Sequence, residues 1–239
     1  MKLLAVDIGN TTINFGLFEN GNLILKKKII SYGFKNVPIK DYSESIVSSV
    51  VPDLTLTIKK TLKNPIILNN KNIPIKIKLK NPSQVGIDRL VNAVAAKNIY
   101  SCPSIVIDFG TATTFDIVSE KGEYIGGIIA PGIKISAESL YEKTAKLPKL
   151  NIKKINNLKI IGKNTNEAIN SGIIYGHIGL IKEVLREIEK QNPKIKKPKI
   201  ILTGGYSKML SGFFDFKIDE ELTLKGLQVI FDSLKVSQK

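Results

Sequence analysis

The sequence predicts an α/β protein built from two related halves, and three observations carry that expectation. The chain opens with LLAVDIGNTTINFGLFENGNL, Leu3 to Leu23, which reads as a strand, a tight turn and a hairpin. The same pattern returns as SIVIDFGTATTFDIVSEKGEYI, where Asp7, Gly9, Thr12, Glu19 and Gly21 are matched at one spacing by Asp108, Gly110, Thr113, Glu120 and Gly122. Strand, glycine turn and helix then recur along the rest of the chain, the signature of layered α/β folds. At 239 residues there is room for two domains. The division is expected at Cys102-Pro103-Ser104, giving residues 1–103 and 104–239.

Taken in order, Leu3 to Val6 is a short apolar run suited to a buried strand, and Asn20-Gly21 is a strong two-residue hairpin signal. Leu23 to Ile30 continues the sheet, and Ser31 to Tyr42, with Gly33 and Pro38, reads as a loop. Ser45 to Val51 is a fourth strand stopped by Pro52, and Leu54 to Leu62 has helical spacing with Asp53 as its cap. Ile66 to Leu68 and Ile75 to Leu79 read as further strands, the second polar at alternate positions as an edge would be. Leu90, Val94 and Ala95 recur at helical spacing, which places Gly86-Ile87-Asp88-Arg89 around a helix start.

In the second half, Gly126-Gly127 and Pro131-Gly132 are expected to break the chain before a helix from about Ile133 to Leu147. A lysine-rich connection, Lys149 to Lys163, precedes a helix opened by Asn164-Thr165-Asn166-Glu167 and running to about Gln191. Thr165 thus stands near a helix N-terminus, where an anion is welcome. Ile200 to Thr203 is a strand ending in Gly204-Gly205, and Leu222 to Leu234 a final helix.

The chemistry of the repeated turn follows from its residues. Gly9 lets backbone N–H groups approach an anion, and Asn10, Thr11 and Thr12 add donors. A carboxylate beside a phosphate repels it unless a hard cation lies between, so Asp7 implies magnesium carried with a nucleotide. A Gly-Asn-Thr turn with a capping Asp explains one copy as well; the second copy shifts the balance toward function. Around Gly86, capping accounts for Asp88 in a first helical turn but not for Arg89 directly after it.

Composition bounds the alternatives. Apolar content of 43% and charged content of 24% are those of a globular protein. Cys102 is the only cysteine, which excludes an intrachain disulfide and suits a reducing compartment. The first apolar run ends at Asp7, too short for a signal peptide, and nowhere do apolar residues run long enough to span a membrane. A cytoplasmic protein is expected. The net charge of +15 is carried by lysine, with Arg89 and Arg186 the only arginines, in clusters at Lys26–Lys28, Lys76–Lys80, Lys153–Lys159 and Lys194–Lys199. Without interleaved aromatics these read as solvated surface able to draw anionic substrates inward, and neither nucleic acid nor membrane is expected as a partner. His177, the only histidine, lies among apolar residues of the long helix and reads as structural.

DIGNTT, SSVVP, VGIDR, DFGTATTFD, GGIIAPG, NTNEA and TGG fall in one order from Asp7 to Gly205. As an ordered set they closely resemble the type III pantothenate kinases. The resemblance implies two ribonuclease-H-like (actin-like ATPase) domains with mixed sheets facing a nucleotide cleft, and ATP-dependent phosphorylation of pantothenate, the first step of coenzyme A biosynthesis. It implies that Asp7, Ile8, Gly9, Asn10, Thr11, Thr12, Ile13 and Asn14 hold the ATP phosphates, with Asp7 on Mg2+. Thr111 would reach the nucleotide, and Asp108 would face a monovalent cation, K+ or NH4+. Gly86, Ile87, Asp88, Arg89 and Thr165 would contact pantothenate, with Asp88 as the base, in a homodimer whose pantothenate site draws on both subunits. One carboxylate suffices for such a transfer, which needs positioning and charge neutralisation more than covalent help.

Two departures from the family stand out. The segment between the third and fourth strands is short, so the helix that normally follows the third strand is reduced or missing. Leu79 stands where many relatives have a tyrosine lining the pantothenate pocket. Two other readings remain at this stage: a non-catalytic transcriptional accessory relative, and a kinase of another small hydroxyl compound.

Overall fold

The computed structural model describes residues 1–152 and 158–236. Part of the lysine-rich connection Lys149–Lys163, residues 153–157 with most of the Lys153–Lys159 cluster, lies outside the described residues.

Strands β1 (Lys2–Ile8) and β2 (Thr12–Glu19) form an antiparallel hairpin that β3 (Asn22–Ile30) extends through the Asn20-Gly21 turn. β4 (Glu44–Ser49) returns parallel to β1, and β5 (Pro65–Ile67) lies parallel to β4, giving the order β3-β2-β1-β4-β5. β6 (Ser104–Phe109), β7 (Ala112–Val118), β8 (Tyr124–Pro131), β9 (Lys199–Thr203) and β10 (Lys217–Ile218) form a second sheet in the order β10-β9-β6-β7-β8. Reversed, the second order is the first, so the repeat in the sequence is a repeat of topology.

The single spacing between the repeats needs one correction. Gly9 N–H closes the first turn on the Thr12 carbonyl, whereas Gly110 N–H closes the second on the Ala112 carbonyl. The second turn is one residue shorter, so Thr12 answers to Ala112, not Thr113, and along the following strand Gly16 answers to Asp116. A longer connection between β7 and β8 restores the spacing at Gly122.

The helices are α1 (Pro52–Lys59), α2 (Ile87–Ala95), α3 (Ile133–Glu142), α4 (Thr165–Gln191), α5 (Ser207–Leu210) and α6 (Leu222–Val236). No helix follows β3, as the short segment implied. Several expectations are corrected. Val51, not Asp53, is the N-cap of α1, because Pro52 takes the first helical position and leaves Asp53 inside the first turn. Ile75–Leu79 is not a strand: only Ile77 bridges, to Tyr124. β8 runs through Gly126-Gly127, where sheet pairing overrides the glycine break. α3 ends before Leu147 because the Thr144 hydroxyl bonds back to the Leu140 carbonyl and then accepts the Leu147 N–H.

The chain packs as two compact units. The first comprises Met1–Ser104, Asp116–Gly126 and Glu221–Lys239. Alternation along β1 gives its sheet two apolar faces: Leu4, Val6 and Ile8 pack with Phe15, Val47, Ile58 and Leu62, while Leu3 and Ala5 pack with Ile46, Leu90, Val94, Leu227 and Phe231. The second face is thereby covered by α2 and α6, which are also tied by a 2.7 Å bond from the Thr223 hydroxyl to Asn92 Oδ1. Each fully buried side chain of this kind contributes about 1.5–3 kcal/mol. The edge strand β3 is mostly exposed and carries Lys26–Lys28, which guard it against pairing with other chains. The second unit comprises Ile105–Phe115 and Gly127–Glu220 and holds the packed pair α3 and α4.

Candidate functional site

In the first unit, the turn after β1 is fastened from below. Besides the Gly9–Thr12 closure, the Ser31 hydroxyl donates to the Gly9 carbonyl at 2.7 Å and Ser31 N–H to the Thr11 carbonyl at 3.0 Å. Gly9 N–H is therefore engaged within the turn, and Asn10 and Thr11 are the exposed groups at its tip. Ile8 and Ile13 are buried in the core, so they can offer only backbone to a ligand. Asp7 is paired in register with Asn14 on β2 and Ser48 on β4, and residues so paired point to one side of a sheet. Asn14 Nδ2 donates to Asp7 Oδ2 at 3.2 Å, while the buried Ser48 hydroxyl has no hydrogen-bond partner among the described residues.

That side of the sheet is the one α2 covers. Gly86, the N-cap of α2, lies beside Val50, whose N–H donates to the Ile8 carbonyl at 3.1 Å. The start of α2 thus stands at the strand ends that carry Asp7. The Asp88 carboxylate folds back over Gly86, so that a Cβ at position 86 would stand 2.5 Å from Asp88 Oδ1. The same oxygen accepts the Arg89 N–H at 2.9 Å, a bond to a first-turn amide from inside the helix, whose N-cap Gly86 has no side chain to cap with. Desolvation raises the Asp88 pKa above the ordinary carboxylate value, against the Arg89 amide and guanidinium.

Arg89 is anchored behind the site. Its Nε donates to Asp116 Oδ1 at 2.8 Å, and the Tyr124 hydroxyl donates to the same oxygen at 2.9 Å. Asp116 is fully buried, and burial pushes its pKa up to about 6 although Arg89 and Tyr124 favour the carboxylate. Burial, then the Asp116 charge, raises the Tyr124 phenol, which stays a donor. Leu79 packs against this unit's core beside Gly126.

In the second unit, Asp108 is the last residue but one of β6 and Thr111 sits exposed at the tip of the shorter turn. Gly204, at φ +85, follows β9 directly alongside: a Cβ there would stand 2.3 Å from Asp108 Oδ1. The N-cap of α3, Gly132, packs on the same turn, its would-be Cβ 2.3 Å from the Thr111 carbonyl, and α3 has no side-chain cap. An uncapped helix start beside a hydroxyl-bearing turn is a ready anion site. Thr165, the exposed first residue of α4, differs. There the Asn164 side chain accepts the Glu167 N–H at 3.0 Å and the Glu167 carboxylate accepts the Lys163 N–H at 2.7 Å, so the chain caps that helix itself. His177 is buried, with ring nitrogens 2.8 Å from the Ile173 carbonyl and 3.3 Å from the Pro131 carbonyl.

Sequence reasoning missed Ser48, Asp116, Tyr124 and Gly204. Ser48 and Gly204 lay inside the quoted motifs SSVVP and TGG, at strand ends where α/β folds bind ligands. Asp116 closes the quoted motif DFGTATTFD, but the single spacing set it against Phe15 rather than Gly16.

The donor set fits magnesium arriving with a nucleotide. Asp7 supplies a hard carboxylate oxygen beside the side chains of Asn14 and Ser48, and among the described residues no three His, Cys, Asp or Glu gather to hold a metal unaided. Magnesium is ordinarily bound through one or two carboxylates plus phosphates and water. Burial pushes the Cys102 thiol up, the reverse of an activated thiolate.

Two mixed sheets of one topology, each opening on an Asp-x-Gly turn, define a duplicated α/β fold of the actin-like class. Solved structures bear out the fold. A Listeria monocytogenes protein described as an N-acetylmannosamine kinase matches with a TM-score of 0.56 at 14% identity, over 98% of this chain and 100% of that one. A Campylobacter jejuni protein described as a Baf family transcriptional activator matches with a TM-score of 0.67 at 25% identity, over 97% and 98%. Curated type III pantothenate kinases of Dehalococcoides mccartyi and Persephonella marina are 40% and 41% identical, covering 98% and 96% of this chain and 97% and 98% of their own. The type III pantothenate kinase family profile matches residues 3–187, and the chain belongs to that family.

Proposed function

We propose that the protein transfers the γ-phosphoryl group of ATP to pantothenate, giving 4'-phosphopantothenate in coenzyme A biosynthesis. The observation that carries this reading is Asp88: a desolvated carboxylate at the start of α2, beside Arg89 and at the strand ends that bear Asp7. Asp88 accepts the proton of the attacking hydroxyl as the new P–O bond forms; its raised pKa improves it as a base. Gly86, Ile87 and Arg89 hold the acceptor, Ile87 through its backbone because its side chain is buried. Arg89 provides the cation suited to the acceptor's carboxylate. Thr165 adds a further acceptor contact through its exposed hydroxyl.

The turn Asp7–Asn14 and Thr111 hold phosphates, and the N-terminus of α3 beside Thr111 supports the second assignment. Magnesium, held by Asp7, would neutralise charge on the transferring phosphoryl group. Asp108, framed by Gly204, takes the monovalent cation, K+ or NH4+. The repeats, residues 1–103 and 104–239, act as two ribonuclease-H-like domains. A homodimer is supported by the edge strand β8, whose Ile129 is 65% exposed, with Ile135 of α3 exposed as well. A cytoplasmic setting agrees with the single cysteine.

Turnover of purified protein with ATP, Mg2+ and K+ and with pantothenate, sugars or glycerol as acceptor tests the reading. Phosphorylation of another acceptor in preference to pantothenate would move the chain to the neighbouring activity that Leu79 leaves open. No turnover with any acceptor, together with salt-sensitive DNA binding, would move it to the regulatory class.

A further inference from the structure

A buried ion pair is a poor source of stability. Removing two charges from water costs several kcal/mol per ion, and well-packed apolar groups in the same space serve the fold as well or better. The protein itself supplies the comparison. Asp116 stands where the first repeat has Gly16, and there the space is filled by Leu23, Phe18 and Leu224 side chains, each of which approaches a would-be Cβ to within 3.2 Å. The architecture accepts apolar packing at this position. In the second repeat it instead carries a carboxylate that is fully buried and joined to Arg89 and Tyr124 through one oxygen.

Arg89 directly follows Asp88, and the Asp88 carboxylate accepts the Arg89 amide. Holding the guanidinium therefore also holds the first turn of α2, on which both the base and the acceptor's cationic partner sit. A guanidinium is planar and binds a carboxylate best in its own plane; with Nε engaged by Asp116 and the plane set, the Nη edge receives an acid in one plane.

We infer that Asp116 and Tyr124 are positioning residues: together they fix the plane of the Arg89 guanidinium so that the carboxylate of the acceptor acid is received in one pose, with its hydroxyl toward Asp88. This rests on the pantothenate kinase reading. The pair touches neither substrate nor nucleotide and acts through Arg89.

The test is steady-state kinetics on the full chain, with wild-type turnover of pantothenate measured first. Absence of that turnover sinks the proposed function, and this inference with it. Given turnover, Asp116→Asn should raise KM for pantothenate about tenfold and lower kcat roughly three- to tenfold, with KM for ATP within about threefold, the mark of a lost acceptor pose. Tyr124→Phe, which deletes one hydroxyl and keeps the ring, should raise the same KM roughly threefold. In an Arg89→Ala background, Asp116→Asn should change KM for pantothenate by less than about twofold, because its intermediary is gone. Three results would overturn the proposal while leaving the kinase reading intact. These are an unchanged KM for pantothenate in both single variants, the same multiplicative effect with and without Arg89, or loss of cooperative melting in both variants, which would make the pair a structural strut.

Discussion

Arg89 Nε donates to Asp116 Oδ1 at 2.8 Å inside the first unit, so the cation next to the candidate base is held by a carboxylate with no solvent exposure. The two residues are separated by the rest of α2 and by β6, and only the fold brings them together.

The pH dependence of stability should carry the imprint of that burial. Desolvation holds the Asp116 pKa at about 6, with Arg89 and Tyr124 on its carboxyl and the charge of Asp88 nearby. A raised carboxyl pKa means that the folded state binds the proton more tightly than the unfolded chain does. Its stabilising contribution is therefore full below the unfolded value near 4 and is lost as pH rises through about 6. Urea midpoints of the wild type should fall across that window, and those of Asp116→Asn should fall less. Equal slopes would show that Asp116 does not titrate there.

Asp88→Asn should lower kcat by roughly a hundred- to ten-thousandfold without changing the melting temperature appreciably. The acid limb of kcat/KM in the wild type should lie above the ordinary carboxylate range, because desolvation raises the Asp88 pKa. A variant that folds and keeps full turnover would remove Asp88 from its role.

Gly204→Ala places a Cβ 2.3 Å from Asp108 Oδ1, on backbone at φ +85. The expected result is a stability loss of about 1–3 kcal/mol and a weakened response of activity to K+. A potassium titration with the wild-type midpoint would separate Asp108 from cation binding.

His177→Phe should cost about 1–3 kcal/mol, because it leaves the carbonyls of Ile173 and Pro131 without their ring-nitrogen neighbour. Its kcat and both KM values should stay near wild type. A large fall in kcat at unchanged stability would give the histidine a part in the chemistry.

Local chemistry was legible wherever one short stretch carried the whole signal. Helix α4 begins at Thr165 and ends at Gln191 as expected, because Asn164 and Glu167 form a cap that can be read from four residues. The Asn20-Gly21 hairpin was readable for the same reason. What escaped was non-local. Asp116 sits in the apolar setting of TTFDIV, and its value comes from an arginine on a distant helix. The Ile75–Leu79 segment has strand-like composition, yet its backbone finds only Tyr124 to pair with: Lys78 N–H donates to the Tyr124 carbonyl and Tyr124 N–H to the Lys76 carbonyl. Beyond α3, the Thr144 hydroxyl folds back on the Leu140 carbonyl, a contact that helical spacing did not signal.

Helix α6, which closes over α2 and one face of the first sheet, follows the whole second repeat in the sequence. During synthesis the turn bearing Asp88 and Arg89 therefore emerges from the ribosome long before its cover does, and it must wait uncovered while the second repeat is made. The base and its arginine reach their final setting only once α6 has been made and has packed on α2.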